Sequence, residues 1–328
     1  MHRKENNELR ERRLAPWVVM HLAVPKSTQL CNVPTLLGAL FLLLGSTALS
    51  QTLSPDLPAA TVLRSAVNAE LRAQSVDHTH WMYQVKTTNA GQEEVKLVVQ
   101  TKDGEVDRLQ SINGQPITAE QQQREEQRIE NLLHAPDKQR KRQHAQSEDA
   151  EQTERMFKLL PDALTVRFGE RRGDMVELLF EPNPDYHAWS REATVFHEME
   201  GRIWINTRAN RLTEIEGHLR RTVKFGAGLL GYLDKGGEFN VRQAEVAPGH
   251  WEVTLLHVNM HGKILFMKTI SEQQHEMRSD YRQVPNDLTL AQGAEQLQKE
   301  CMIESARNKG AAVGKATDLA IAAKRQHQ

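Results

Sequence analysis

The sequence predicts an α+β protein organised around an antiparallel sheet of about eleven strands. From Ala193 to Val284 polar and apolar residues alternate almost without a break, and tight-turn residues punctuate the run: Glu200-Gly201, Ala209-Asn210, Pro248-Gly249 and His261-Gly262. Five shorter alternating stretches lie upstream, at Met82–Thr87, Glu94–Thr101, Val106–Ile112, Ala163–Arg167 and Met175–Phe180. Strands do not alternate regularly with helices, which argues against a doubly wound parallel sheet.

Taken in order, Asp56 is placed to cap a helix in which Val62, Leu63, Ala66, Val67 and Leu71 share one face. The three strands that follow are separated by Asn89-Ala90-Gly91 and Asp103-Gly104, and Asn113-Gly114 closes the group. Thr118-Ala-Glu-Gln121 reads as a capping box opening a helical insertion over 118–160, interrupted near Pro136. The part from Lys138 to Glu154 offers nothing large and apolar to bury and is expected to be solvated or mobile. Proline at 182 and 184 makes Glu181–Tyr186 a crossover. The meander is then expected as Ala193–Met199, Arg202–Thr207, Leu212–Lys224, Glu238–Val246, Trp251–Met260 and Lys263–Val284. From Asp287 the pattern turns helical, with Leu290, Ala294, Leu297 and Cys301 on one face.

The 328 residues carry 42 Lys and Arg against 43 Asp and Glu, a balance that does not point to nucleic acid as partner. Val33–Leu49 has the length and small-residue ending of a secretory signal, with Ala48-Leu49-Ser50 placing cleavage between Ser50 and Gln51. It is short for a membrane helix. Met20 is a second possible start within the basic leader. The expected location is therefore periplasmic or otherwise exported. The expected domains are a signal peptide over 1–50, a sheet domain over 51–286 carrying the 118–160 insertion, and a C-terminal helix and tail over 287–328. Only Cys301 lies beyond the predicted cleavage point, so no internal disulfide is available.

Few motifs carry chemistry. Gly226-Ala-Gly-Leu-Leu-Gly231 satisfies G-x-G-x-x-G but sits between antiparallel strands, not in a βαβ unit, so no nucleotide is assigned. Glu214, Glu216 and His218 alternate on one strand face, and the outer two lie about 13 Å apart on a straight strand, too far to share one metal. His78 and His80 lack a third ligand, and His197-Glu198 lacks the second histidine of a zinc helix. No nucleophile elbow, phosphate loop or C-x-x-C is present. The expectation is a non-enzyme without metal or cofactor. Apolar residues do cluster around the glycine loop: Phe225, Leu229, Leu230, Tyr232 and Leu233 either line a hydrophobic rim or fill a core. Trp204 and Trp251, on strands either side, carry the same two readings.

The hairpin Met199-Glu-Gly-Arg-Ile-Trp-Ile-Asn-Thr-Arg-Ala-Asn-Arg-Leu-Thr-Glu-Ile-Glu-Gly-His-Leu219 resembles the G-x-x-W-I hairpin of the LolA/LolB-like lipoprotein-sorting superfamily. The export signal, N-terminal helix, strand count and midway helical insertion are similar too, over roughly residues 57–284. The resemblance implies a curved half-barrel covered by helices, with an apolar cavity that takes up a lipid, an acyl chain or an acylated protein. Trp204 and Trp251 would then be walls, and Phe225–Leu233 a movable rim. The long polar insertion and the C-terminal helix depart from that pattern. A structural or interaction module of the envelope, using those two additions to bind an envelope protein, is the alternative, and an envelope hydrolase is the next.

Overall fold

A strand whose alternate residues are apolar can bury one face while leaving the other to water, and most of the alternating stretches pair in this way. The computed structural model describes residues 57–303 apart from 90, 189–190, 226–230 and 265–268. Helix α1 (Ala59–Val76) precedes β1 (His80–Asn89), β2 (Gln92–Thr101), β3 (Gly104–Ile112) and β4 (Gln115–Pro116). Helices α2 (Ala119–Leu133) and α3 (Pro136–Ala163) lead to β5 (Leu164–Arg172) and β6 (Met175–Pro182). After the short α4 (Arg191–Phe196) come β7 (Met199–Asn206), β8 (Arg211–Leu219), β9 (Val223–Phe225) and β10 (Gly231–Leu233). They are followed by β11 (Glu238–Ala247), β12 (His250–Ile264) and β13 (Thr269–Val284). A last helix, α5, covers residues 290–303.

The strand order is β4-β3-β2-β1-β13-β12-β11-β8-β7-β6-β5, with β10 joining β12 to β9 beside this path. The expected half-barrel thus corresponds to an unclosed antiparallel sheet of 13 strands, in the α+β class. The chain divides into two compact units. The first holds the chain up to His78, Thr87–Gly91 and His144–Arg278; the second holds Thr79–Lys86, Gln92–Gln143 and the chain from Ser279.

In the first unit α1 packs on β5 and β8. Its Val62, Leu63, Ala66 and Val67 are buried in one cluster with Leu178 of β6, Ile203 of β7, Leu219 of β8, Phe239 of β11 and Leu256 of β12. That cluster covers the inner face of the sheet. Glycine is demanded where β7 meets β8: a Cβ on Gly201 would lie 2.0 Å from the Glu216 carbonyl oxygen. Its partner Gly217 lies beneath the rings of Phe239 and Phe180, at 2.9 and 3.0 Å from where a Cβ would stand.

The second unit is built on Met82, Leu97, Val99 and Val106, packed against Ile129 and Leu132 of α2 and Leu290, Ala294 and Leu297 of α5. The predicted capping box opens α2: the Thr118 hydroxyl accepts from the Gln121 amide at 3.3 Å, and the Gln121 side chain accepts from the Thr118 amide at 2.8 Å. Thr289 and Gln292 form the same reciprocal pair before α5. Asn113 and Gly114 both have positive φ, 51° and 72°, as the tight turn between β3 and β4 requires.

Several expectations are corrected. Ala193–Met199 is not a strand. Arg191–Phe196 forms a helical turn that buries Ala193 and Phe196, three residues apart, and so short a stretch cannot distinguish the two periods. Leu212–Lys224 breaks after Leu219, so β9 is separate. His261-Gly262 does not turn: β12 continues to Ile264, and Gly262 is required because β10 passes so close that a Cβ would lie 2.2 Å from the Tyr232 carbonyl oxygen. Lys138–Glu154 is helical throughout and mostly exposed. Asp56 and the signal segment lie outside the described residues.

Candidate functional site

In the first unit, the hairpin β9–β10 sets Phe225 opposite Gly231, and Gly231 opposite Ile264 of β12. Phe225 and Leu233 both enter the inner cluster, as does Val223. Tyr232 alternates to the other side and is exposed. Leu229 and Leu230 fall in 226–230, outside the described residues. Trp204 is buried on the face opposite the inner cluster, with the Arg172 guanidinium 4.8 Å from its ring centre. Trp251 is half-buried, and the Arg211 guanidinium stacks 5.4 Å from its ring centre. Of the residues singled out in the sequence, then, Phe225 and Leu233 share one apolar cluster, Trp204 and Tyr232 lie on the other face, and Trp251 packs on Arg211 outside the cluster.

A polar tie holds α1 where it crosses β8 and β11. Glu70 is 3% exposed. Its carboxylate accepts from Arg211 at 2.9 and 2.8 Å, from the Leu212 amide at 2.8 Å and from the Gln243 side chain at 2.7 Å. Every strong donor around this buried charge is used, which is what burial of a carboxylate requires. A cavity of about 30 Å³ beside it is lined by Glu70, Phe157, Leu212, Ile215, Val241 and Val253 among others. It has room for a water or two, whereas ligand pockets hold roughly 300–1,000 Å³. Asn210 donates to the Ser65 hydroxyl at 3.0 Å, and Asp77 meets His250 at 2.9 Å, so α1 is tied along its length.

The opposite face of β5–β13 is polar and arranged in cross-strand rows. Leu179, Arg202, Glu216, Asn240 and His257 occupy successive paired positions, as do Glu200, His218, Glu238 and Asn259. Arg202 lies 2.7 Å from Glu216 and 3.9 Å from the buried Glu177. The hydrogen bond that Arg202 donates to Glu216, aided by the charges of Glu216, Glu177 and Glu214, raises the Arg202 pKa despite some desolvation. The three metal-competent residues of β8 are each engaged across strands: Glu214 with Arg242 at 2.8 Å, Glu216 with Arg202, and His218 with Glu200 at 3.1 Å. Among the described residues no group of His, Cys, Asp and Glu is set to hold a metal ion. An open cleft of about 380 Å³ on this face is walled by Arg167, Glu181, Glu200, Arg202, Glu216 and His218, with Leu179 at its floor. Arg202 with Glu216 and His218 with Glu200 are paired there, while Arg167 and Glu181 make no ion pair among the described residues.

In the second unit, Arg128 of α2 binds Glu125 at 2.8 Å and the Asp107 carbonyl at 2.6 Å. Burial alone would lower its pKa; the Glu125 hydrogen bond and the charges of Asp107 and Glu125 outweigh that and raise it. Tyr83 stacks on Tyr281 at 5.0 Å, and Trp81 meets Tyr281 edge-on at 6.1 Å.

The first half of α3 is where this unit presents unmatched charge. Lys138, Arg140, Lys141 and Arg142 are exposed, and from Lys138 to Ser147 the sequence has no acid. Arg140 pairs with Asp137, while Lys138, Lys141 and Arg142 make no ion pair among the described residues. The Gln139 side chain bonds the last carbonyls of α2, Leu132 at 2.8 Å and Leu133 at 3.0 Å, which fixes the start of α3. In the sequence the run is masked by the second half of the helix, where acids and bases mix, although Lys138, Arg140, Lys141 and Arg142 precede the next acid, Glu148.

Comparison with family models, with curated proteins and with solved structures returns no match to this chain. No helix among the described residues is long and apolar enough to cross a membrane.

Proposed function

We propose that this is a non-enzymatic module of the cell envelope that acts through its surface, with the helical insertion as the binding element. The observation that carries this reading is the first half of α3, a regular helix with Lys138, Lys141 and Arg142 exposed and without acidic partners. On the polar face of the sheet, by contrast, Glu214, Glu216 and Glu200 are paired across strands with Arg242, Arg202 and His218. An exported location is part of the proposal and rests on the apolar run Val33–Leu49.

A second reading, a carrier of an acyl chain, is favoured by the hairpin β9–β10. It brings Phe225 and Leu233 into the inner cluster at the two ends of the segment that contains Leu229 and Leu230. The two readings separate in one experiment. The protein is purified without detergent, extracted and examined by mass spectrometry, and the delipidated protein is titrated with a fluorescent fatty acid. The surface reading expects no stoichiometric lipid and no saturable binding. A bound acyl chain released by extraction would establish the carrier instead. Deleting 118–160 is not a clean test of either, because Ile129, Leu132, Met156 and Leu160 from that span are buried in the two cores.

A further inference from the structure

We propose that the first turns of α3 are a docking site for an anionic phospholipid surface. This deepens the surface reading above, and the choice of lipid over nucleic acid rests on its exported location. The helix breaks its own rules here. Lys138 lies in the first turn, where the positive end of the backbone dipole disfavours a cation. Lys138 is also three residues from Lys141 and four from Arg142, so like charges are stacked on one face, an arrangement that destabilises a helix. The second half of the same helix follows the opposite logic: Glu151 precedes Arg155 and Glu154 precedes Lys158 by four residues, at 3.6 and 2.5 Å. Apart from Asp137 with Arg140, the first turns leave their bases without such pairs while the second half uses them, and that contrast is where a function conflicts with local stability.

The chemistry of the patch selects the partner. Gln143 donates to the Asp103 carbonyl at 2.7 Å, which brings the turn carrying exposed Lys102 beside the helix. The patch therefore has Lys102, Lys138, Arg140, Lys141 and Arg142, while Asp137 is matched to Arg140 and the Asp103 carboxylate accepts from the Leu290 amide at 3.3 Å. No aromatic or branched apolar residue occurs from Asp137 to Ser147. Protein hot spots are Trp, Tyr and Arg seated in desolvated pockets, and here the bases stand exposed on a helix with no Trp or Tyr beside them. A charged bilayer needs no such anchor, because clustered bases are drawn to its surface potential without inserting. The long, unbonded lysine and arginine stems suit a surface whose phosphates are not fixed in place.

The test is cosedimentation of the full chain with vesicles of equal parts phosphatidylglycerol and phosphatidylcholine, against phosphatidylcholine alone, at low salt. The wild type is expected to bind the anionic vesicles only, and to release as salt rises. The variant K138Q/K141Q/R142Q should bind roughly a hundred-fold more weakly, at about five-fold per base. Its melting temperature should equal or exceed that of the wild type, since repulsion is removed and no bond is lost. Absence of wild-type binding, equal binding by the variant, or a variant that melts lower would each overturn the proposal. Binding to duplex DNA as tight as to the vesicles would overturn the choice of lipid. Loss of vesicle binding with no extracted acyl chain would leave the surface reading standing and remove this inference alone. Vesicle binding together with an extracted acyl chain would do the reverse.

Discussion

Replacing Glu70 by alanine is the sharpest test of how the first unit is held together. The side chain is almost fully buried, and the change leaves Arg211, the Leu212 amide and the Gln243 amide facing a void. Breaking one partner out of a buried ion pair costs about 3–5 kcal/mol. The adjoining cavity of about 30 Å³ grows on truncation and can admit water to the orphaned donors, which sets the expectation at the lower end, ~3 kcal/mol. Glu70→Gln keeps the shape and one acceptor, and should cost about 2 kcal/mol. The double variant Glu70→Leu with Arg211→Met removes both charges together and should return to within about 1 kcal/mol of wild type, because neither ion is left unpaired. Urea unfolding followed by tryptophan fluorescence reads all three, with Trp251 reporting directly through its stacking on Arg211. A loss below about 1 kcal/mol for Glu70→Ala, or additive losses in the double variant, would refute the view that this charge is held by its donors.

Gly201→Ala should cost about 3 kcal/mol, since its Cβ would meet the Glu216 carbonyl at 2.0 Å and part β7 from β8; faster amide exchange in both strands is the readout. Leu63→Ala, at a fully buried position of α1, should lose about 3 kcal/mol in chemical unfolding. Thr118→Ala removes the α2 cap and should cost ~1 kcal/mol, seen as increased exchange confined to the first turn of that helix.

Much of the fold was legible because its signals are local. The Thr118–Gln121 capping box, the Asn113-Gly114 turn and the alternation of β2, β6 and β11 each depend on residues within a few positions, and the structure has all of them. Ala193–Met199 was too short to separate two periods, and the other misreadings come from contacts distant in the chain. His261-Gly262 has the residues of a turn, yet the glycine is there to let β10 approach from elsewhere in the chain. Strand order was out of reach for the same reason, as β1 lies beside β13 and nothing near either one says so. At the candidate sites the sequence identified Phe225 and Leu233 as apolar partners but could not tell on which side of the sheet Trp204 would fall. Three residues separate Ile203, Trp204 and Ile205 into two environments, and a bulge opposite them shifts the register. Glu70 escaped notice because a lone carboxylate on a helix reads as solvated until its distant partners Arg211 and Gln243 are known.

The β1–β13 pairing also sets a timetable. Tyr83 is made early and its stacking partner Tyr281 late, with nearly two hundred residues between them. At typical ribosomal rates, roughly 10 to 40 s of synthesis separate the two. The second unit cannot close until that wait is over, whereas the first can assemble most of its strands as they emerge. Through the interval the β1 edge, and the part of β2 and β3 that α5 later covers, are nascent surface without a partner, the kind that recruits chaperones or other chains. Mutations that slow translation between Gln143 and Ser279 should therefore lower the yield of folded protein without touching a single native contact.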